Sequence, residues 1–198
     1  MLDPIVWVDL ETGGLDPALH QITQIGAVAT LGDSTLQEIG EPFEAKVALA
    51  SGHYEEDALK KQGYDKDVWI KEAVSVQVAI RAFIDWIEPF RHDRVNKAGK
   101  RYQAGHVAGY NIAFDAEFLR ETSSRNGVWM PLTTWTGGMF DVLQFAKWTA
   151  VMTGAQPENY QLETVCKFYG VPILGSAHDA LVDVKATVRL ARALMMGW

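Results

Sequence analysis

Two strand-like segments, residues 22–31 (ITQIGAVATL) and 36–47, are separated only by a short connection built on Gly32-Asp33-Ser34. Strands joined by so few residues must run antiparallel, because a parallel pair needs a crossover of a dozen residues or more. Ahead of them, Ile5-Val6-Trp7-Val8-Asp9-Leu10 is a β-branched and aromatic run closed by Gly13-Gly14, which reads as a buried strand ending in a loop. Beyond these segments the period becomes helical. Residues 55–62 and 75–90 carry apolar positions three and four apart, as at Val74, Val78, Phe83 and Ile87. Residues 91–101 (RHDRVNKAGKR) hold five basic side chains and one acid without hydrophobic periodicity, which predicts a loop. Residues 104–110 then read as a strand. Helices are predicted over 114–124, 141–151, 160–169 (ended by Gly170) and 179–196. Antiparallel strands first, then strand and helices alternating, predict an α/β fold with a mixed sheet and helices on its faces.

The length of 198 residues predicts a single domain over 1–198, and 48% hydrophobic residues supply a sizeable core. The formal net charge of −7 argues against a protein that coats nucleic acid through a broad basic surface. It leaves room for an enzyme that meets phosphates through bound cations, since carboxylates ligate Mg²⁺ and Mn²⁺. The single Cys166 excludes an intrachain disulfide and a cysteine-based zinc site. No apolar run approaches the roughly 18 residues that span a bilayer, so no membrane association is expected. The N-terminal residues lack the pattern of a signal peptide, and a soluble, cytoplasmic chain is expected.

Three places carry candidate chemistry. Asp9 and Glu11 stand two apart at the end of the first strand, so both carboxylates project to one face. They are either a solvated strand end or a pair that a cation neutralises. Asn111 and Asp115 lie where a strand ends and a helix opens, and taken singly Asp115 in a first helical turn reads as a partner of the helix dipole. His178 and Asp183 are five apart, which on one helix separates them by about 140°. They share a site only if His178 lies on the loop before the helix and Asp183 one turn inside it. Asp179 at that helix start is explained by capping, but Asp183, flanked by Leu181, Val182, Val184 and Ala186, is not. A histidine on a loop beside acids suits a base.

Asp-x-Glu on the first strand, Asn-x-x-x-Asp entering a middle helix and His-x-x-x-x-Asp near the C-terminus, in that order, resemble the DEDDh branch of the DEDD exonucleases. Residues 8–17 (VDLETGGLDP) are similar to that family's first motif, and 22–28 to the strand after it. Residues 160–170 (YQLETVCKFYG) look like its penultimate helix, and Asp141 falls where the family often has an acid. Tyr110 stands where His is common, and 48–103 matches no motif of the family.

The resemblance implies an RNase H-like mixed sheet of about five strands with helices on both faces. It implies 3′-to-5′ hydrolysis of terminal phosphodiesters at the 3′ end of single-stranded DNA or RNA, releasing nucleoside monophosphates. Two Mg²⁺ or Mn²⁺ ions would assist, stabilising the attacking and leaving oxygens of an in-line displacement. On this resemblance Asp9 bridges both ions, Glu11 and Asp183 hold the ion on the nucleophile side, Asp115 completes the coordination or orients water, and His178 is the general base. The resemblance also sets Thr12, Leu15, Asn111 and Phe114 against the substrate, with ordinary core packing the alternative for Leu15 and Phe114. It further implies a homodimer, as in several relatives of this size. Among the aromatics, Trp7 and Trp86 are expected in the core and Trp135 exposed, and the basic residues of 91–101 either follow a phosphate backbone or are simply solvated. A phosphoesterase for small molecules and a catalytically silent nucleic-acid-binding module on the same fold are the competing readings.

Overall fold

A computed structural model of the chain describes residues 2–134, 138–176 and 178–197. Trp135 lies outside the described residues. Five strands form the main sheet: β1 (Leu2–Thr12), β2 (Ile22–Gly32), β3 (Glu38–Lys46), β6 (His106–Gly109) and β7 (Met139–Asp141), in the order β3-β2-β1-β6-β7. The first three pair antiparallel, and β6 and β7 add in parallel, with β1 at the centre. The helices are α1 (Glu56–Lys61), α2 (Lys66–Glu72), α3 (Val76–Ile87), α4 (Ile112–Arg125), α5 (Val142–Thr153), α6 (Leu162–Phe168) and α7 (Ala180–Met196).

Alternation along β1 explains how the layers assemble. Val6, Val8 and Leu10 pack with Ile80, Phe83 and Ile87 of α3 and Ile112, Phe118 and Leu119 of α4. Ile5 and Trp7 point the other way, into a second cluster with Val142, Val165, Val184 and Leu190 of α5, α6 and α7. A strand buried on both faces must read as an almost unbroken apolar run, which is how Ile5–Leu10 reads. Trp7 keeps its indole satisfied by donating to Thr30 Oγ1 at 2.9 Å. The period of two then decides where the acids go: Asp9 and Glu11 share the face of Ile5 and Trp7, the face that α7 covers.

The elements expected from the sequence appear within a few residues of their expected bounds. Residues 75–90 divide into α3 and a single 3₁₀ turn, Glu88–Phe90, where Pro89 removes a helical donor. Residues 91–101 are not a loop. They enter a two-stranded hairpin, β4 (His92–Val95) paired antiparallel with β5 (Arg101–Ala104). Its turn is closed by Asn96 Oδ1, which accepts from the N–H of Ala98 at 3.0 Å and of Lys100 at 2.9 Å, with Gly99 at φ +77°. Most of the hairpin's side chains are exposed, so no burial pattern marks it in the sequence. The seven-residue α2, which buries only Trp69, and the three-residue β7 are too short for periodicity to reveal.

Candidate active site

The site is assembled where α7 begins. Asp179 caps the helix, accepting from Leu181 N–H at 3.1 Å and Val182 N–H at 3.0 Å. The helix start rests directly on β2. A Cβ on Gly26, which pairs with Asp9, would lie 2.3 Å from the carbonyl carbon of Ala180 and 2.4 Å from Leu181 N. Gln24 pairs with Glu11 and is 2% exposed. Its Oε1 accepts from Ala180 N–H at 3.5 Å, and its Nε2 donates to Glu44 at 3.0 Å and Asp179 at 3.4 Å. These contacts fix the first turn of α7 over the end of β1. Glu11, His178 and Asp183 each bring one ligand-capable atom within 4.8 Å of the other two.

His178 lies before the helix, as sharing a site with Asp183 requires. It adopts φ +61°, and its N–H donates to Asp183 Oδ2 at 3.2 Å. For a residue other than glycine the left-handed conformation costs roughly 1–2 kcal/mol, so the surrounding contacts must hold it there. Its amide is thereby engaged while its side chain stays exposed.

Asp115 arrives from the opposite direction on α4. The turn before that helix is tight: a Cβ on Gly109 would lie 2.7 Å from the Val8 carbonyl oxygen. Asn111 takes φ +57°, with its N–H donating to Asp141 Oδ1 at 3.1 Å. Asp141 also caps α5 through Leu143 N–H at 2.9 Å, so it acts here as a positioning residue. Asp115 is 4% exposed and accepts from Leu10 N–H at 3.0 Å. A solvated partner of the helix dipole would not be buried against β1, so the dipole alone does not account for it.

Electrostatics mark the same pocket. Burial raises the Asp9 carboxyl well above its ordinary range, and the charges of Asp115, Asp183, Glu11 and Asp179 add to it. Burial, followed by Asp183 and Asp179, pushes Glu11 up to about 8. Asp115 is raised by burial, partly offset by the Leu10 N–H, and Asp183 by burial, partly offset by the His178 N–H. Four acids displaced in one direction describe a pocket short of positive charge. Their hard oxygen donors suit Mg²⁺ or Mn²⁺, and His178 adds a nitrogen at the rim.

The remaining expected residues spread around this pocket. Leu15 is 82% exposed on the loop after β1, which removes core packing as its explanation. The buried Thr12 hydroxyl donates to Gly14 O at 2.8 Å and so closes that loop. Asn111 is exposed at the head of α4, and Phe114 is half-buried against Phe118, ring centroids 4.9 Å apart. Trp86 packs with Phe43, Phe83 and Phe90 as core. Lys97, Lys100 and Arg101 sit in the hairpin at the other end of the sheet, since the segment after β5 enters β6 opposite Ile5. Gln24 and Gly26 were not singled out by the sequence, whereas Asp141, marked there by the resemblance, proves to brace Asn111 and cap α5. The available signal was a glutamine and a glycine inside the otherwise apolar strand 22–31.

Residues 6–191 match the RNase_T exonuclease family. An oligoribonuclease of Corynebacterium glutamicum is 25% identical, over 94% of this chain and 76% of that protein. Among solved structures, E. coli exonuclease I in complex with a dT13 oligonucleotide superposes with a TM-score of 0.74 at 23% identity, covering 96% of this chain and 40% of that one. The zinc-bound form of an E. coli exonuclease I–ssDNA complex gives 0.77 at 22%, covering 100% and 41%. A moderately thermophilic exonuclease I from Methylocaldum szegediense gives 0.74 at 24%, covering 97% and 40%. The chain thus spans about two-fifths of these exonuclease I structures, with which it shares its fold. Among the described residues no helix is long and apolar enough to cross a membrane. With its family match running from β1 into α7, across every element that supplies an acid to the pocket, the chain belongs to the RNase_T exonucleases, within the DEDD 3′-to-5′ exonuclease superfamily.

Proposed function

We propose that this chain, as one domain, is a metal-dependent 3′-to-5′ exonuclease that removes nucleoside monophosphates from single-stranded DNA or RNA. The observation that carries the reading is the convergence of Asp9, Glu11, Asp115 and Asp183 in one pocket, each raised by burial, with His178 exposed at its rim. Two divalent cations held there would supply charge stabilisation for the attacking and leaving oxygens. Asp9 would bridge them, Glu11 and Asp183 would hold the ion on the nucleophile side, and Asp115 would complete the set from α4.

The other roles belong to the chain's own groups. His178 accepts the proton of the attacking water on its imidazole, one nitrogen of which lies within 4.8 Å of a Glu11 and an Asp183 oxygen. Leu15, exposed on the loop after β1, wedges against the terminal base, and Phe114 and Asn111, at the start of α4, meet the substrate. Thr12 keeps the loop that carries Leu15 closed. The C. glutamicum relative is an oligoribonuclease, which favours short RNA as the first substrate to try.

The deciding experiment offers matched 5′-labelled DNA and RNA oligonucleotides with Mg²⁺ or Mn²⁺. A ladder shortening from the 3′ end supports the proposal, and its relative rate on the two substrates assigns the sugar. Intact oligonucleotides together with turnover of a small phosphoester would favour the phosphoesterase, and binding without turnover the silent module.

A further inference from the structure

A second cluster of metal-competent side chains lies at the opposite end of β1, six residues and therefore about 20 Å of strand from Asp9. It is built from Asp3, His92 and His106, one ligand atom of each lying within 4.8 Å of the others. Asp3 sits where β1 changes register: Leu2 pairs with Gly32 but Ile5 with Thr30, an irregularity of the kind that re-aims a side chain. His106 opens β6 opposite Ile5, and His92 opens β4. The two imidazole centroids are 4.6 Å apart, and Phe140 packs on His106 at 5.4 Å.

The hydrogen bonding shows what these groups present. Arg94 Nη2 lies 2.7 Å from His92 Nε2 and 2.8 Å from His106 Nδ1. A guanidinium can only donate, so the His92 Nε2 that faces it accepts, and the same Nη2 lies 3.1 Å from His106 Nε2 as well, against both nitrogens of that ring. With its Nε2 lone pair turned inward, His92 cannot donate to the Asp3 carboxylate, whose Oδ2 is 3.6 Å from that nitrogen. Two acceptors facing each other need a cation beside them. Moreover, 3.6 Å is close to the roughly 3.4 Å that separates two ligands on a tetrahedral ion with bonds of about 2.1 Å.

We infer that Asp3, His92 and His106 form a divalent-cation site of the nitrogen-rich class that zinc prefers, with Arg94 as a competing cation against its two imidazoles. Two imidazoles and a carboxylate are too nitrogen-rich to select Mg²⁺, which separates this site chemically from the all-acid pocket. A metal here ties β1, β4 and β6 together far from the phosphodiester. It stabilises the fold and leaves turnover alone.

The test titrates Co²⁺, a spectroscopic stand-in for Zn²⁺, into the full chain in excess Mg²⁺, following visible absorption. One equivalent with the intense band of a four-coordinate, nitrogen-ligated site is expected. The band should persist in Asp183→Asn, which disables the carboxylate pocket, and disappear in His106→Ala. Arg94→Ala should bind roughly tenfold tighter, since the resident cation no longer competes. In a separate arm, Zn²⁺ should raise the melting temperature of the wild type without changing kcat measured with Mg²⁺. A band lost in Asp183→Asn but kept in His106→Ala overturns the assignment. So does the absence of any band in both the wild type and Arg94→Ala, a comparison that does not depend on His106→Ala folding.

Discussion

Gly26 of β2 and Ala180 of α7 are in backbone contact, so close that a single methyl group would lie 2.3 Å from the Ala180 carbonyl carbon. The glycine therefore sets the height at which Asp183 stands over Asp9. Gly26→Ala should lift the start of α7, lowering stability by about 1–3 kcal/mol as overpacking does. It should lower kcat by about 100-fold, the scale on which a misplacement of about 1 Å acts. Thermal melting and steady-state rates check both, and wild-type kcat in a folded Gly26→Ala chain would contradict the relationship.

The raised carboxylates make stability depend on pH. Glu11 titrates at about 8 in the fold against an ordinary 4.5, so the folded chain retains a proton that the unfolded chain has released. That contribution is fully present below pH 4.5 and is lost as pH rises through about 8. Asp9, Asp115 and Asp183 act in the same direction. A divalent cation replaces those protons, so the rise in Tm on adding Mn²⁺ should grow between about pH 5 and about pH 8. Calorimetry at pH 7 in buffers of different ionisation enthalpy should show protons released on binding. A pH-independent rise in Tm with no proton release would mean the acids are not the ligands.

Asp9→Asn should remove nearly all activity and weaken Mn²⁺ binding, because the carboxylate proposed to bridge the ions faces the charges of Asp115, Asp183 and Glu11 together. Asp183→Asn should do the same, while its amide oxygen can still accept from the His178 N–H. Unchanged Mn²⁺ stoichiometry and affinity in both variants would remove them from the ligand set.

His178→Ala separates a base from a ligand. Its ring nitrogen lies within 4.8 Å of a Glu11 and an Asp183 oxygen, yet the pocket retains four carboxylates without it. As the base, its loss should lower kcat by roughly 10²–10⁴-fold while Mn²⁺ binding survives. Lost Mn²⁺ binding would make His178 a ligand instead, and an unchanged rate would remove it from the chemistry.

Neutralising Lys97, Lys100 and Arg101 should weaken binding of long oligonucleotides and flatten its salt dependence, leaving dinucleotide turnover unchanged because the hairpin lies at the far end of the sheet. An identical salt slope would return these side chains to plain solvation.

The buried first strand and the antiparallel pair β2 and β3 were legible, the one because burial on two faces leaves an apolar run that no loop shares, the other because so short a turn forbids a parallel pair. Asp9 and Glu11 follow from the strand period of two, and the position of His178 follows from the geometry a shared site demands. The bond from Leu10 N–H to Asp115 and the bracing of α7 by Gln24 were not legible, because each joins residues more than a hundred positions apart. The basic hairpin escaped for a different reason. Its strands are held by backbone hydrogen bonds and an asparagine turn, and an exposed ladder imposes no pattern on its side chains.

Those long separations have a kinetic consequence. Leu10 meets Asp115 across 105 residues, and Gln24 meets Asp179 across 155. Loops of that length close late, so the hairpins of the first half can form long before the pocket exists. During refolding from denaturant, strand content should recover ahead of nuclease activity, and activity should return only in the slowest phase. A nascent chain that has not yet docked α7 holds the residues proposed for catalysis in separate pieces and is expected to be inert until that helix arrives.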